Sequence, residues 1–340
     1  MTNGGGLMMG NCGCDRRGFF GHAFGCGAWV AIALTAGTAT ARQSQARTLT
    51  DPVVTSAFAR IEKLADGVWA VISTPFAPDG GRGDRTTLSN GGIIAGRDGV
   101  LVVEGFNTPA GGAWLSDQAL ALTGRRPTHV VATHYHLDHV GGLSGFRRGA
   151  DGPELLMTAQ TGALSAQRNG LPRPVEGSPF AKAAPVLLPT LIVPEGEAVL
   201  DLGGRTVRLV ARTGHTDSDV TVELDDPRVI FGGDLLWNGI FPNYVDADPV
   251  KLSAAVRAVL ADPATLVVPG HGSLSNAADL SPYLGVLDAV EAAARRAHAA
   301  GMTVEKAASA FTLPPGLGAW TLFSAGFYTN AFKAWYRVLG

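Results

Sequence analysis

Beyond Cys26 the 340-residue chain contains no cysteine; its three, Cys12, Cys14 and Cys26, all precede residue 27. Without its N-terminal segment the protein has no disulfide, no thiol nucleophile and no thiolate metal ligand. Cys12-Gly-Cys14 looks like half a metal site, but no partner pair follows it. Charge is also scarce, at 16% of residues with a net charge of −2. That excludes a broad basic face, so no nucleic-acid partner is expected. No repeat of fixed period occurs, and no linker clearly divides the chain. Glycine is abundant, at 45 residues, but without the three-residue period of a collagen. What is present is a 46% hydrophobic composition, enough for a sizeable core in one large or two modest domains.

The N-terminus reads as an address. Asp15-Arg16-Arg17-Gly18-Phe19-Phe20 is followed by no charge until Arg42, with an apolar Ala/Gly-rich stretch from Ala23 to Ala36. Ala39-Thr40-Ala41 then fits a signal-peptidase site. The arginine pair resembles a twin-arginine signal, which exports folded proteins. Residues 1–41 are therefore expected to be a signal peptide and the protein to be periplasmic. The alternative is an uncleaved membrane anchor; the expected contact with membrane is confined to this segment.

Along the rest of the chain, Ile61–Ser73 predicts two strands around Asp66-Gly67, with Val68, Ala70 and Ile72 on one face. Gly92–Ala95 and Val100–Glu104 predict a hairpin, and Thr128–Thr133 a short buried strand. Further strands are expected at Glu154–Thr158, Glu197–Leu202, Arg205–Ala211, Val220–Leu224, Val229–Phe231 and Thr265–Val268. Helices are expected at Ala113–Leu122, Gln160–Arg168 and Pro249–Leu260, in the Ala-rich run from Leu280, and between Trp320 and Val338. Pro75–Asn90 reads as a mobile lid and Leu171–Pro185 as a Pro-rich loop. Strands with interleaved helices indicate an α/β protein.

His134-Tyr135-His136-Leu137-Asp138-His139 directly follows the strand ending at Thr133. Four metal-ligand residue types lie within six positions. His134 and His136, two apart in extended chain, point to the same side. Asp138 and His139 follow as the chain turns into a helix, so one loop can serve two neighbouring cations. The chain has 8 histidines. His22 lies in the signal, His129 is expected to face outward and His298 to be solvated, leaving His215 and His271. Both stand in glycine contexts, Thr213-Gly214-His215-Thr216 and Pro269-Gly270-His271-Gly272. Asp234 stands in Phe231-Gly232-Gly233-Asp234. Each is expected on a turn where a buried strand breaks, because glycine lets backbone approach an ion closely.

HxHxDH, GHT, GGD and PGHG in that order resemble the metallo-β-lactamase superfamily of dinuclear hydrolases. The resemblance covers most of residues 60 to 275 and fills all seven ligand positions. It implies a four-layer αββα sandwich, with a catalytic domain over 55–275 and a C-terminal helical extension, 276–340, packed on the same domain. It also implies that His134, His136 and His215 hold a first ion, Asp138, His139 and His271 a second, and that Asp234 bridges both. Imidazole and carboxylate suit zinc, two per chain, while iron or manganese also accept such donors. Two cations a few Å apart lower the pKa of a shared water from about 15.7 toward 7, so no Ser or Cys nucleophile is required. Asp138 and Asp234 are the expected proton carriers.

Departures from the family pattern narrow the reading. Asp234 stands where some lactamases have Cys, and all-His lactamases usually lack this bridging Asp. Oxygen-reducing relatives have Glu where His136 stands. Glu104 occupies a position usually held by Asp and is expected to support a ligand histidine from outside the cluster. Asn238 and Tyr244, on loops after Asp234, are candidate substrate-facing residues. The implied activity is hydrolysis of a small-molecule ester, lactone, lactam or phosphoester. The alternatives are a mononuclear-iron sulfur dioxygenase, a thioesterase of the glyoxalase II kind, and a non-catalytic metal-binding module. Glyoxalase II acts on a cytosolic glutathione substrate, at odds with export. Oligomeric state is left open.

Overall fold

β-Branched runs separated by tight turns build two sheets, each a succession of neighbours in chain order. The computed structural model describes residues 52–73, 85–147, 151–169, 187–324 and 326–340. The expected signal peptide, Leu171–Pro185 and most of the expected lid lie outside the described residues. The first sheet comprises β1 (Pro52–Thr55), β2 (Ala59–Ala65), β3 (Val68–Ser73), β4 (Gly91–Ala95), β5 (Val100–Val103), β6 (His129–Val131), β7 (Glu154–Thr158) and β8 (Leu191–Val193). It is antiparallel as far as β5 and parallel from β5 to β8. The second comprises β9 (Glu197–Asp201), β10 (Thr206–Arg212), β11 (Asp219–Asp225), β12 (Arg228–Trp237), β13 (Leu266–His271) and β14 (Ser275–Asn276). Only β12 and β13 pair in parallel within it.

Alternation along the strands sends one face of each sheet into a shared interior. Val68, Ala70, Ile72, Ile94, Leu101 and Val131 meet Val207, Leu209, Val220, Val222 and Phe231 there. The opposite face of the first sheet, with Ile61, Val71, Val102 and Val130, is covered by Leu115 and Ala119 of helix α1 (Pro109–Thr123). That helix starts at Pro109 because Thr108 caps it, accepting from Gly111 N, and it stops at left-handed Gly124. α2 (Leu137–Val140) and α3 (Ala159–Asn169) follow β6 and β7.

The outer face of the second sheet is covered by four helices: α4 (Pro249–Val259), α5 (Ser281–Ala299), α6 (Val304–Ala310) and α7 (Phe327–Leu339). Leu235, Leu236 and Trp237 of β12 share one apolar cluster with Leu252 and Val256 of α4, Val286 and Val290 of α5, and Phe332 and Trp335 of α7. The order of layers is helix, sheet, sheet, helix, with the C-terminal helices forming the outer layer on the second sheet.

Two expectations about strand ends are corrected. β12 does not break at Gly232-Gly233 but continues to Trp237, with shifts in its register to β13 on either side of Gly233. β13 likewise runs through Pro269 and Gly270 to His271. Asp234 and His271 therefore sit on adjacent parallel strands rather than on turns, and backbone pairing fixes their separation.

Candidate metal centre

β6 ends at Val131, and the chain from there presents His134 and His136 on one side. His134 Nε2 and His136 Nδ1 are 3.1 Å apart. His215, on the loop between β10 and β11, brings its Nε2 to 3.0 Å from His136 Nδ1. The first turn of α2 carries Asp138 and His139. His271 Nε2 lies 3.2 Å from Asp138 Oδ2, and His139 Nε2 lies 3.6 Å from the same oxygen.

Asp234 lies between these two groups. Its Oδ2 is 3.4 Å from His215 Nε2 and 3.8 Å from His134 Nε2. Its Oδ1 is 3.2 Å from His139 Nε2 and 3.3 Å from His271 Nε2. One oxygen faces each group. All seven residues expected from the sequence are brought together, in two sets able to hold a metal ion: His134, His136, His215 and Asp234, and beside them Asp138, His139 and His271.

The donor spacing fits metal ions. With metal–nitrogen bonds of about 2.0–2.1 Å, donors on one tetrahedral ion stand roughly 3.4 Å apart. The separations here, 3.0–3.8 Å, bracket that value. Buried His139 Nε2 and Asp234 Oδ1 stand 3.2 Å apart without the alignment of a hydrogen bond, an arrangement that is costly unless those atoms serve another purpose.

The electrostatics divide the imidazoles into two kinds. Burial pushes His134 well below the usual histidine range, and the neighbouring His139 adds to the effect. Burial also pulls His215 down to about 3. On the other side, burial opposes protonation of His271, but Asp234 and Asp138 raise it to about 9. His139 is likewise raised, against burial, by Asp234, Glu104 and Asp138. Asp234 and Asp138 are desolvated, which favours their neutral form, yet His271 and His139 hold both below the usual carboxylate range.

Contacts outside the cluster set the direction of each ring. His134 Nδ1 is 3.0 Å from Thr133 Oγ1, and His215 Nδ1 is 3.2 Å from the Asn243 carbonyl. Glu104 Oε1 lies 3.0 Å from His139 Nδ1 and accepts from Thr133 Oγ1 at 2.5 Å. Glu104 has a left-handed φ of 76°, a strained conformation for a non-glycine residue that the surrounding contacts must hold. The Trp237 ring packs 4.3 Å from the His271 ring, and Phe323 of the C-terminal segment packs 5.5 Å from it.

Outside the cluster, the expectation for Tyr244 is corrected. Tyr244 is not substrate-facing; it is 1% exposed within the apolar cluster under α5. Asn238 spends its amide on the Ser273 carbonyl at 2.9 Å, tying down the chain after His271. The described end of the expected lid is structural. Asn90 Nδ2 donates to the Pro269 and Gly272 carbonyls, and Ser89 Oγ to the Asp138 carbonyl. His129 and His298 are both half-buried; His129 contacts Thr128 Oγ1, and His298 lies edge-on to Tyr336.

Two carboxylates escaped notice in the sequence. Asp219 accepts from His215 N, Thr216 N and Thr216 Oγ1, fixing the loop that carries His215, and burial pushes it up to about 7. Asp246 lies 3.0 Å from His136 Nε2. The Thr216-x-x-Asp219 spacing is a recognisable turn signal; Asp246 has no local signature.

With this geometry in view, the relatives can be named. The sequence model of the metallo-beta-lactamase superfamily matches residues 85–271. A hydroxyacylglutathione hydrolase of Acidiphilium cryptum (strain JF-5) is 30% identical over 224 residues, covering 63% of this chain and 82% of that protein. The acyl-coenzyme A thioesterase MBLAC2 of Homo sapiens is 30% identical over 128 residues, 34% of this chain and 43% of that one. Among solved structures, a metallo-beta-lactamase from Erythrobacter litoralis superimposes with a TM-score of 0.55 at 20% identity, covering 69% of this chain and 98% of that chain. The sec-alkylsulfatase Pisa1 from Pseudomonas sp. superimposes with a TM-score of 0.63 at 17% identity, covering 82% and 50%. At those identities the two structures speak to the fold alone. The family match spans more than half of the sequence, and the chain belongs to the metallo-beta-lactamase superfamily as a metal-dependent hydrolase.

Proposed function

We propose that the protein is an exported, two-zinc hydrolase of a small acyl ester or thioester. The observation that carries this reading is the division of Asp234, one carboxylate oxygen toward each group of imidazoles. His134, His136 and His215 would hold one ion, and Asp138, His139 and His271 the other, with Asp234 between them. When bound, such a pair supplies Lewis acidity and an acidified water. The chain's own side chains do the rest. Asp138 is 14% exposed at its side chain and His136 is 18% exposed, so the cluster meets solvent on their side. Asp138 is there the carboxylate best placed to accept a proton and return it to a leaving group. Asp234, 3% exposed at its side chain, is held as an anion by its imidazole neighbours. The hydroxyacylglutathione hydrolase and acyl-coenzyme A thioesterase relatives support an acyl-transfer substrate and favour a thioester among the candidates.

Export rests on the Arg16-Arg17 leader and the Ala39/Ala41 site; it makes a glutathione thioester the less suitable substrate within this class. The test is metal content together with a panel of acyl thioesters, esters, lactones, β-lactams and phosphoesters. About two zinc ions per chain and thioester or ester turnover that vanishes in Asp234→Ala is the expected result. One iron per chain with oxygen consumption on a persulfide substrate would instead establish the dioxygenase alternative. Metal-loaded protein inactive on the whole panel would favour a non-catalytic module.

A further inference from the structure

We propose that Asp246 is a positioning residue for the first metal site, holding His136 so that its Nδ1, rather than its Nε2, faces the cluster; the proposal rests on the two-ion reading above. Asp246 lies in the loop between Tyr244 and α4, remote in sequence from the HxHxDH segment. Its Oδ2 accepts from His136 Nε2 at 3.0 Å and from the Tyr135 hydroxyl at 2.5 Å. Its Oδ1 accepts from Arg168 Nη1 at 2.7 Å. One carboxylate thus takes three donors from two separate elements.

His136 needs such a support more than its neighbours do. His134, His139 and His215 are fully buried, whereas the His136 side chain is 18% exposed. It also turns the opposite way, with Nδ1 inward near His134 and His215 and Nε2 outward. A ring at the solvent boundary can rotate about χ2 and offer either nitrogen. A charged acceptor on Nε2–H removes that freedom and keeps Nδ1 turned toward the cluster. The end of α3 completes the brace. Asn169 Nδ2 donates to the Tyr135 carbonyl at 2.6 Å, and the Arg168 guanidinium lies 5.5 Å over the Tyr135 ring. Arg168 in turn locks the rotamer of Asp246.

The expected signature is selective. In the full chain, Asp246→Ala weakens one of the two ions by about tenfold to a hundredfold and leaves the other within about twofold. Asp246→Asn, which keeps an acceptor oxygen but not the charge, falls between Asp246→Ala and the native protein. Arg168→Ala gives a smaller loss at the same site. Competition titrations with a chromogenic zinc chelator read the two affinities. Cobalt(II) loading reads the geometry, because the absorption of only one of the two ions should change. Where Asp246→Ala fails to fold by circular dichroism, Asp246→Asn and Arg168→Ala carry the same comparison. Native-like affinities at both sites in the folded variants would overturn the proposal, as would parallel weakening of both sites in step with a lowered Tm, the mark of a merely structural role. A native protein that binds two ions while the variants match it refutes this inference alone; a native protein that binds fewer than two overturns it together with the two-ion reading.

Discussion

Gly270→Ala disturbs the centre without altering any proposed ligand. A Cβ built on Gly270 lies 2.1 Å from Asp234 Oδ1 and 2.7 Å from the Gly233 carbonyl carbon. Carbon–oxygen contacts settle at about 3.3–3.6 Å, so the carboxylate must retreat by roughly 1.2 Å or the two strands must part. Strand separation is resisted, because β12 and β13 pair in parallel here and the Gly233 backbone is itself against Thr133 Oγ1. The carboxylate retreats, and because the Gly233 carbonyl carbon and oxygen lie 2.7 and 2.8 Å from the same Cβ, β12 and β13 must also shift locally; both displacements take Asp234 from a position only 3.2–3.3 Å from His139 and His271. Overpacking of this kind costs about 1–3 kcal/mol, a Tm loss of roughly 2–10 °C. A misplacement near 1 Å in a catalytic centre costs on the order of 100-fold in rate. The expected outcome is a folded protein with at least about 100-fold lower kcat/KM on its best substrate and reduced zinc content by mass spectrometry. Gly316→Ala, where no atom lies within 4 Å of the added Cβ, is the control and should match the native protein. Native activity and zinc content in Gly270→Ala would refute the reasoning, since they require that the position of Asp234 is immaterial.

Metal-free protein should be most stable near pH 6.5. His134 and His215 are depressed by burial, so below about 6.5 the unfolded chain binds more protons and stability falls as pH drops. His139 and His271 are raised, so their contribution is present below about 6.5 and fades as pH rises toward about 9. A Tm of chelator-treated protein that is flat from pH 5 to 9 contradicts this. Chelation should itself lower Tm; an ion present at about 1,000 times its Kd contributes about 4 kcal/mol, and a melting curve indifferent to chelator would argue against bound metal. Asp219→Ala strips three hydrogen bonds from the His215 loop; it should lower Tm measurably and weaken metal at the His215 side, and unchanged affinity there would show that the loop holds itself. Phe332→Ala in α7, a 1% exposed side chain, should cost about 3–5 kcal/mol in chemical denaturation. A loss below 1 kcal/mol would mean that the C-terminal helices are not part of one core with β12.

The cluster was legible because its ligands are local or framed by glycine. Four of the seven lie within six residues, and the other three follow glycine, where backbone must approach closely. The strand and helix periods indicated an α/β protein, and the four-layer order came from what the superfamily resemblance implies. What the sequence hid depends on pairing across the chain. Gly232-Gly233 looks like a turn, yet β12 passes through it because β13 pairs alongside and Gly233 adopts a φ of 51° beside Thr133. Tyr244 looks like a loop aromatic and is core, because α5 packs over it. Asp246 is an ordinary loop aspartate until α3 and the Tyr135-His136 segment come to meet it. Strands β1, β8 and β14, of four, three and two residues, are too short to carry a period of their own.

Anomalous diffraction at the zinc edge, from crystals of the zinc-loaded protein, bears most directly on the centre. Two peaks are expected, about 3.5–4 Å apart, one among His134, His136 and His215, the other among Asp138, His139 and His271, with the Asp234 carboxylate between them. A single peak, or two peaks that Asp234 does not touch, would contradict the account.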